Sequence, residues 1–346
     1  MNHAKSQKIV MDDYGAYLGM EKGCFVLRDR KGNEERYPLF EKEIGEVVLK
    51  SGNTVSTGAL ASLGFWDVNV LILTQRGRPV AMLRSLDDDN HVKTRVSQYK
   101  ALDNGKGVEV AKRIVYGKLE GQNEVLEKHG LMRHDLVKAK TAINGADSES
   151  PGRFRGRLLS IEGKFTKRYF KRVFGLLPEG LRPETRKKFR AYDGVNNAFN
   201  LAYTLLKWRV HRALLGAKLE PYLGFVHSEQ FGKPSLVCDF MELYRYLVDD
   251  FLVGFLETVG KMDFVMKDEK TTKKRRGKRE YLNGFRTGEL IRGLDEMFGK
   301  RVEVPRIRHG SGQALETLFN EEALLLAKYL RGERKSWIPR IAFMRI

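Results

Sequence analysis

The chain has 346 residues, of which 63 are Lys or Arg and 44 are Asp or Glu, so its formal net charge is +19. A hydrophobic fraction of 42% is enough to build a core, which excludes wholesale disorder. The two cysteines, Cys24 and Cys238, are far apart and form no CxxC pair, which argues against a disulfide scaffold or a zinc knuckle. The composition predicts a folded, strongly basic protein of one or two domains.

The N-terminal segment is polar and lacks the apolar core of a signal peptide. No stretch approaches the roughly 18 uncharged apolar residues that a membrane-spanning helix needs. We therefore expect a cytoplasmic protein with no membrane partner.

The first 86 residues are predicted to form β structure. Short apolar or alternating runs are separated by turn sequences such as Lys31–Gly32–Asn33 and Ser51–Gly52–Asn53. Only Thr57–Leu63 has the pattern of a helix. Closely spaced short strands with turn signals predict a small β-sandwich or rolled sheet, and the acidic run Asp87–Asp89 follows it.

Helical periodicity dominates from residue 91 to residue 346. The run Lys273–Arg279 contains six basic residues in seven and no apolar periodicity, so we expect a mobile loop there. The predicted fold class is therefore α+β, with a small N-terminal β domain (1–86) and a larger all-α C-terminal domain (91–346). Later helices are predicted at 153–175, 195–217, 238–259, 283–298 and 311–331.

The positive charge is concentrated in the C-terminal part. Residues 1–85 carry 12 basic and 10 acidic side chains, which leaves a net +17 on the remainder. Phosphate neutralisation and counterion release supply most of the affinity for nucleic acid, so a nucleic acid would bind there. General solubility charge is the plainer alternative, and an anionic membrane surface is a weaker one.

Glu162 lies on the apolar face of a predicted helix. Leu158, Phe165 and Tyr169 recur around it at helical spacing. Burial of a carboxylate is costly unless a cation compensates. The spacing leaves two cations open, a metal ion or a nearby Lys or Arg side chain.

A second candidate cluster surrounds the turn at Gly232 and Pro234. Asp239 and Glu242 are i, i+3 neighbours on a predicted helix, so both carboxylates leave one face, and the loop can return His227 to them. Nitrogen and carboxylate ligands together suit Mn²⁺ or Mg²⁺ better than structural zinc. The alternative is that both carboxylates are solvated, because the apolar stripe of this helix lies on the opposite face.

Three motifs here resemble those of the CRISPR-associated integrase family of spacer acquisition. They read Ser160–Ile161–Glu162–Gly163, Gly224–Phe225–Val226–His227, and Ser235–Leu236 followed by Asp239 and Glu242. Asp193–Gly194–Val195–Asn196 resembles an Asp-Pro-Val-Asn segment of the family, with Gly194 in place of the usual Pro. N-terminal segments at 56–60 and 68–78 also match in order, so the resemblance runs from about residue 8 to the end.

The resemblance implies a metal site of Glu162, His227 and Glu242, with Asp239 as a supporting residue or auxiliary ligand. The implied cofactor is Mg²⁺ or Mn²⁺. The implied activity is that of an endonuclease and integrase, which joins the 3′-hydroxyl of a captured DNA fragment to the border of a CRISPR repeat by transesterification. The implied partners are that fragment, the repeat DNA, a second copy of the chain held by the N-terminal domain, and a small companion adaptation protein ("Cas two").

Two alternatives stay open. A related transposon-encoded integrase would use the same site on different DNA ends. A non-catalytic nucleic-acid-binding scaffold would keep the acidic cluster for structure alone. Neighbouring genes would distinguish the first alternative, and metal dependence the second.

Overall fold

The computed structural model describes residues 7–38, 44–66, 68–75, 77, 79–83, 92–146, 150–270, 276–302 and 313–340. The chain divides into two compact units, residues 1–91 and 92–346. The acidic run at 87–89 lies outside the described residues.

Unit one contains two four-stranded sheets and one helix among its described residues. One sheet has the order β1-β5-β7-β8, in which only β8 is antiparallel to its neighbour, and the other has the order β4-β3-β2-β6. The elements are β1 (Gln7–Met11), β2 (Tyr17–Glu21), β3 (Cys24–Arg28), β4 (Glu34–Pro38), β5 (Ile44–Lys50), β6 (Thr54–Val55), α1 (Thr57–Phe65), β7 (Asn69–Leu73) and β8 (Pro79–Leu83).

The two sheets share one apolar core. Leu18 and Phe25 from one sheet and Val47 and Val70 from the other are fully buried in a single cluster. The helix α1 adds Leu63 to the cluster, so alternate strand positions and one helical face close the core. This arrangement agrees with the β-rich N-terminal part predicted from the turn spacing.

Unit two is mostly helical. Its long helices α3, α5, α6 and α8 pack around one large core, and no helix in the described part of the chain is long and apolar enough to span a membrane. The elements are α2 (Val92–Ala101), α3 (Gly105–Lys128), α4 (Leu136–Asn144), α5 (Pro151–Leu176), α6 (Gly194–Gly216), α7 (Ser235–Met241), α8 (Arg245–Glu257), β9 (Phe264–Lys270), β10 (Arg276–Leu282), α9 (Gly284–Gly299), β11 (Arg301–Val302), β12 (Gln313–Ala314) and α10 (Leu315–Leu330).

These elements confirm the predicted α+β class and add two features. Strands β9 and β10 form an antiparallel hairpin within the helical unit, and β11 pairs with β12. Residues 276–279 belong to β10, so the prediction of a loop is wrong for that part of Lys273–Arg279. Cross-strand pairing of Arg276–Arg279 with Lys267–Lys270 supplies the order that local sequence does not indicate. Residues 273–275 lie outside the described part.

The helix predicted at 238–259 is two helices. The N–H groups of Glu242, Leu243 and Tyr244 bond to carbonyl groups three residues earlier, which tightens the chain into a turn between α7 and α8. The turn leaves Glu242 at the C-terminal end of α7.

Candidate functional site

The three residues predicted to bind metal line one cleft of unit two. The cleft has a volume of about 1110 Å³. Glu162 enters it from the middle of α5, His227 from the loop that precedes α7, and Glu242 from the end of α7. The packing of these elements therefore brings Glu162 next to two residues that lie 65 and 80 positions further along the chain.

A buried lysine stands between the two glutamates. Lys118, on α3, contacts Glu162 Oε1, and its Nζ atom lies 2.7 Å from Glu242 Oε2. Thr166, one turn along α5, also donates to Glu162 Oε1 at 2.9 Å. The carboxylates are thus held around an ammonium group rather than solvated.

Lys118 is not among the site residues predicted from the sequence. The signal was the same one that identified Glu162. Lys118 lies four residues after Ile114 and four before Gln122, on the face of α3 that is buried. A charged residue in such a position requires a partner of opposite charge.

The charges of this cluster stabilise one another. Burial alone would raise the pKa of Glu242, but the positive charges of Arg245 and Lys118 lower it to about 2. Burial alone would lower the pKa of Lys118, but the carboxylates of Glu242 and Glu162 outweigh it and raise that pKa above its ordinary value. Arg245 Nη2 lies 3.1 Å from Glu242 Oε1 and completes the group. Lys118, Glu242 and Arg245 are therefore charged at neutral pH.

Asp239 is fully buried and orients His227. Its carboxylate accepts the backbone N–H groups of Phe225, Val226 and His227 at 2.6–2.9 Å, and it contacts His227 Nδ1 at 2.6 Å. A neutral imidazole held in this way carries its proton on Nδ1 and keeps a lone pair on Nε2 for a metal or a proton. Asp239 is fully engaged by these four donors.

The solvated alternative for Asp239 and Glu242 is wrong. All seven residues of α7 are buried, so this short helix has no solvent-facing side on which a carboxylate would be hydrated. The helix also begins at Ser235, three residues before the predicted start at residue 238. An apolar stripe indicates a buried face only when the other face meets water.

Gly224 permits the close wrapping of the loop around Asp239. A Cβ atom at this position would lie 2.8 Å from Asp239 Oδ2 and 2.8 Å from the carbonyl oxygen of His227. In the Gly-x-x-His motif, the glycine therefore lets the loop approach Asp239 closely, and this approach positions the histidine.

The rim of the cleft is strongly basic. The loop before α6 is fixed by Asn196, whose Oδ1 accepts the N–H of Lys187 at 2.8 Å and Arg186 Nη1 at 3.0 Å. Asp193 caps the helix by accepting the N–H of Asn196 at 2.7 Å. This loop, α5 and α6 present a group of cations and one exposed aromatic ring to the opening: Lys164, Lys167, Arg168, Lys171, Lys188, Phe189 and Lys207.

The donor atoms of the cluster fit a hard divalent cation. Glu162 and Glu242 offer carboxylate oxygens and His227 offers Nε2, and the buried Glu242 Oε2 lies 2.7 Å from the ammonium of Lys118. The ammonium of Lys118 demonstrates that the space between the carboxylates accepts a cation. Within the described ranges, no three His, Cys, Asp or Glu side chains are drawn together closely enough to coordinate an ion as they stand.

Comparison with known proteins identifies the family. The model of the family "CRISPR associated protein Cas1" matches residues 9–287. A CRISPR-associated endonuclease Cas1 of Pyrobaculum aerophilum is 32% identical over 250 residues, which are 70% of this chain and 80% of that protein.

Solved structures share the fold at low sequence identity. A casposase bound to integration product superposes with a TM-score of 0.76 at 18% identity, over 98% of this chain and 96% of that one. A Cas6-RT-Cas1–Cas2 complex gives 0.70 at 19% identity, over 96% of this chain and 36% of the matched chain. On the family model and the curated relative together, the chain belongs to the CRISPR-associated Cas1 family, which confirms the resemblance in its motifs and the predicted place in CRISPR adaptation.

Proposed function

We propose that this protein is a metal-dependent DNA integrase and endonuclease that inserts captured DNA fragments at a CRISPR repeat. The observation that carries the proposal is that Glu162, His227 and Glu242 line one cleft whose rim is basic. Membership of the Cas1 family supports the reaction class.

Glu162, His227 and Glu242 hold Mg²⁺ or Mn²⁺ in this proposal, and Asp239 orients the His227 ring. When bound, the ion polarises the phosphoryl oxygens and stabilises the leaving oxygen. Three protein ligands would leave room at the ion for water or phosphate. His227 presents Nε2 because Nδ1 is held by Asp239.

The basic rim positions the DNA. Lys164, Lys167 and Lys171 on α5 and Lys207 on α6 neutralise phosphates next to the cluster. The 3′-hydroxyl oxygen of the captured fragment forms a new bond to phosphorus, and the bond from phosphorus to an oxygen of the repeat strand breaks. The exchange of one phosphodiester for another requires no covalent enzyme intermediate, so no side-chain nucleophile is needed.

The assembly in this proposal is a homodimer joined through unit one, with the companion adaptation protein "Cas two" as a further partner. Residues 1–85, which make up nearly all of unit one, are almost neutral and do not oppose self-association, whereas the remainder of the chain carries +17. The matched Cas6-RT-Cas1–Cas2 complex contains a companion of that kind. In this proposal the protein acts in the cytoplasm, where we expect it to meet the DNA that it joins.

A transposon-encoded integrase is the second candidate. The casposase match favours it, because that protein shares the fold over nearly the whole chain. The two candidates use the same cleft and differ in the DNA that they join. Repeat-containing and repeat-free plasmids, each offered with the same donor fragment, distinguish them.

The test is strand transfer into a repeat-containing plasmid with Mn²⁺, Mg²⁺ or a chelator. Glu162→Ala, His227→Ala and Glu242→Ala should each remove strand transfer and retain DNA binding, and Asp239→Ala should be milder than Glu242→Ala. The matched control is Glu184→Ala, which removes the same charge from an exposed position on the same cleft. Full activity in the Glu162, His227 or Glu242 variant, or in the presence of chelator, contradicts the metal site.

A further inference from the structure

Lys118 occupies the place that the proposed metal site needs. Its Nζ atom contacts both Glu162, on α5, and Glu242, at the end of α7. The side chain of Lys118 is 7% exposed, and it also forms part of the cleft wall. In the described structure the two carboxylates are therefore held together by a cation that belongs to the protein, the ammonium of Lys118.

The charges of the cluster balance without a metal. Glu162 and Glu242 oppose Lys118 and Arg245, so two negative charges face two positive ones. If a divalent ion entered this buried group and both Lys118 and Arg245 stayed in place, the group would carry an excess of two positive charges. Such an excess is costly away from water, so a positive group must leave when the ion enters.

Lys118 is the cation that can leave. Arg245 is held on two sides, by Glu242 at 3.1 Å and by the ring of Tyr203, 4.7 Å from its guanidinium carbon. Lys118 has a flexible four-carbon stem, and the described contacts of its ammonium are those with the two carboxylates that the ion would take over. The adjoining cleft of about 1110 Å³ gives the released ammonium room and water.

We propose that Lys118 competes with the divalent ion for Glu162 and Glu242. Lys118 closes the site in the metal-free protein and thereby sets the affinity for the metal. The inference rests on the proposed function, because it takes Glu162 and Glu242 as ligands of the ion. Lys118 is a positioning residue here, since it keeps the two carboxylates together until the ion replaces it.

The first test measures Mn²⁺ binding to the metal-depleted full chain by isothermal titration calorimetry. Lys118→Met should lower the Kd for Mn²⁺ by about tenfold or more, because the ion no longer breaks charge-assisted hydrogen bonds to buried carboxylates. The matched control is Lys167→Met, which removes one positive charge from an exposed position of the same cleft and should change the Kd by less than about threefold. An unchanged or higher Kd in Lys118→Met overturns the proposal.

The second test uses the wild-type side chain and does not depend on how a variant folds. Acetic anhydride acetylates lysine amines that lose a proton and are open to solvent, so an ammonium buried between two carboxylates is protected, and mass spectrometry reports each site. Mn²⁺ should raise the labelling of Lys118 severalfold and leave Lys167 unchanged. Protection of Lys118 that persists at saturating Mn²⁺ overturns the proposal.

Glu162→Gln separates this inference from the proposed function. If Glu162→Gln loses Mn²⁺ binding but Lys118→Met binds Mn²⁺ no more tightly than wild type, the metal site stands and the competitor role fails. If Glu162→Gln binds Mn²⁺ as wild type does, the ion lies elsewhere and both proposals fail.

Discussion

Asp249 illustrates how a single buried side chain couples this fold to pH. Tyr169 donates to its Oδ2 at 2.9 Å and Tyr203 donates to its Oδ1. Burial raises the pKa of Asp249 to about 6, although the two tyrosine hydrogen bonds act in the opposite direction. The folded protein therefore binds a proton at this carboxyl at a higher pH than the unfolded chain, for which the pKa is 3.8.

This difference predicts a pH-dependent stability. A carboxyl group whose pKa is raised by folding stabilises the protein fully below about pH 4, and the contribution is lost as pH rises through about 6. The free energy of unfolding of the wild type, relative to Asp249→Asn, should thus rise by up to about 3 kcal/mol from pH 7 to pH 4. Denaturant unfolding across that range measures it. A difference in free energy of unfolding between the two proteins that does not vary with pH would contradict the raised pKa of Asp249.

At the residue scale, the sequence predicted the site in part. Glu162 was recognisable because it interrupts an apolar helical stripe, and His227 and Glu242 because of their motifs. The supporting role of Asp239 was left open, since its four donors come from a loop whose path local sequence does not determine. Lys118 was missed because its partners lie 44 and 124 residues further along the chain.

At the element scale, Gly194 links helix α6 to the hairpin. Its N–H donates to Glu280 Oε2 at 2.7 Å, a bond that proline in this position would lack. A Cβ atom here would lie 2.1 Å from Phe264 Cδ1. The glycine that replaces the family's usual proline therefore fits the contact between the start of α6 and strands β9 and β10.

Gly194→Ala should destabilise the protein by about 1–3 kcal/mol, because the phenylalanine ring or the hairpin has to move. The matched control is Gly175→Ala, a helical position with nothing within 4 Å of the added methyl group, which should be neutral or slightly stabilising. Thermal unfolding of both variants measures the difference. Equal unfolding temperatures for the two variants would show that the close contact is relaxed at no cost.

The elements were predictable where periodicity is local. Helices α5, α6, α9 and α10 agree with their predicted segments to within a few residues, because each has one apolar face and polar surroundings. The break between α7 and α8 was not predicted, since residues on both sides of it are buried and the apolar pattern continues through the turn. The hairpin was not predicted because its order depends on pairing between two charged strands.

At the scale of the whole molecule, the division of charge predicts how copies associate. Unit one is nearly neutral and exposes apolar side chains such as Phe65 and Val80, whereas unit two repels its own copy. The full chain should be a dimer at micromolar concentration. Light scattering after size-exclusion chromatography measures the mass.

The double variant Phe65→Asp, Val80→Asp should raise the Kd of the dimer by at least about tenfold, because the new carboxylates would be buried without a partner in the interface. Met262→Asp is the control, because Met262 is also exposed but lies on unit two. A wild-type monomer, or equal weakening by the control, would contradict dimerisation through unit one.

The location of a bound ion tests the central claim most directly. Crystals of the full chain soaked in Mn²⁺ give an anomalous difference map, in which manganese is identified without reference to activity. We expect a peak within coordination distance of Glu162, Glu242 and His227 Nε2, with Lys118 displaced from the carboxylates. A peak elsewhere, with Lys118 still between Glu162 and Glu242, would contradict it.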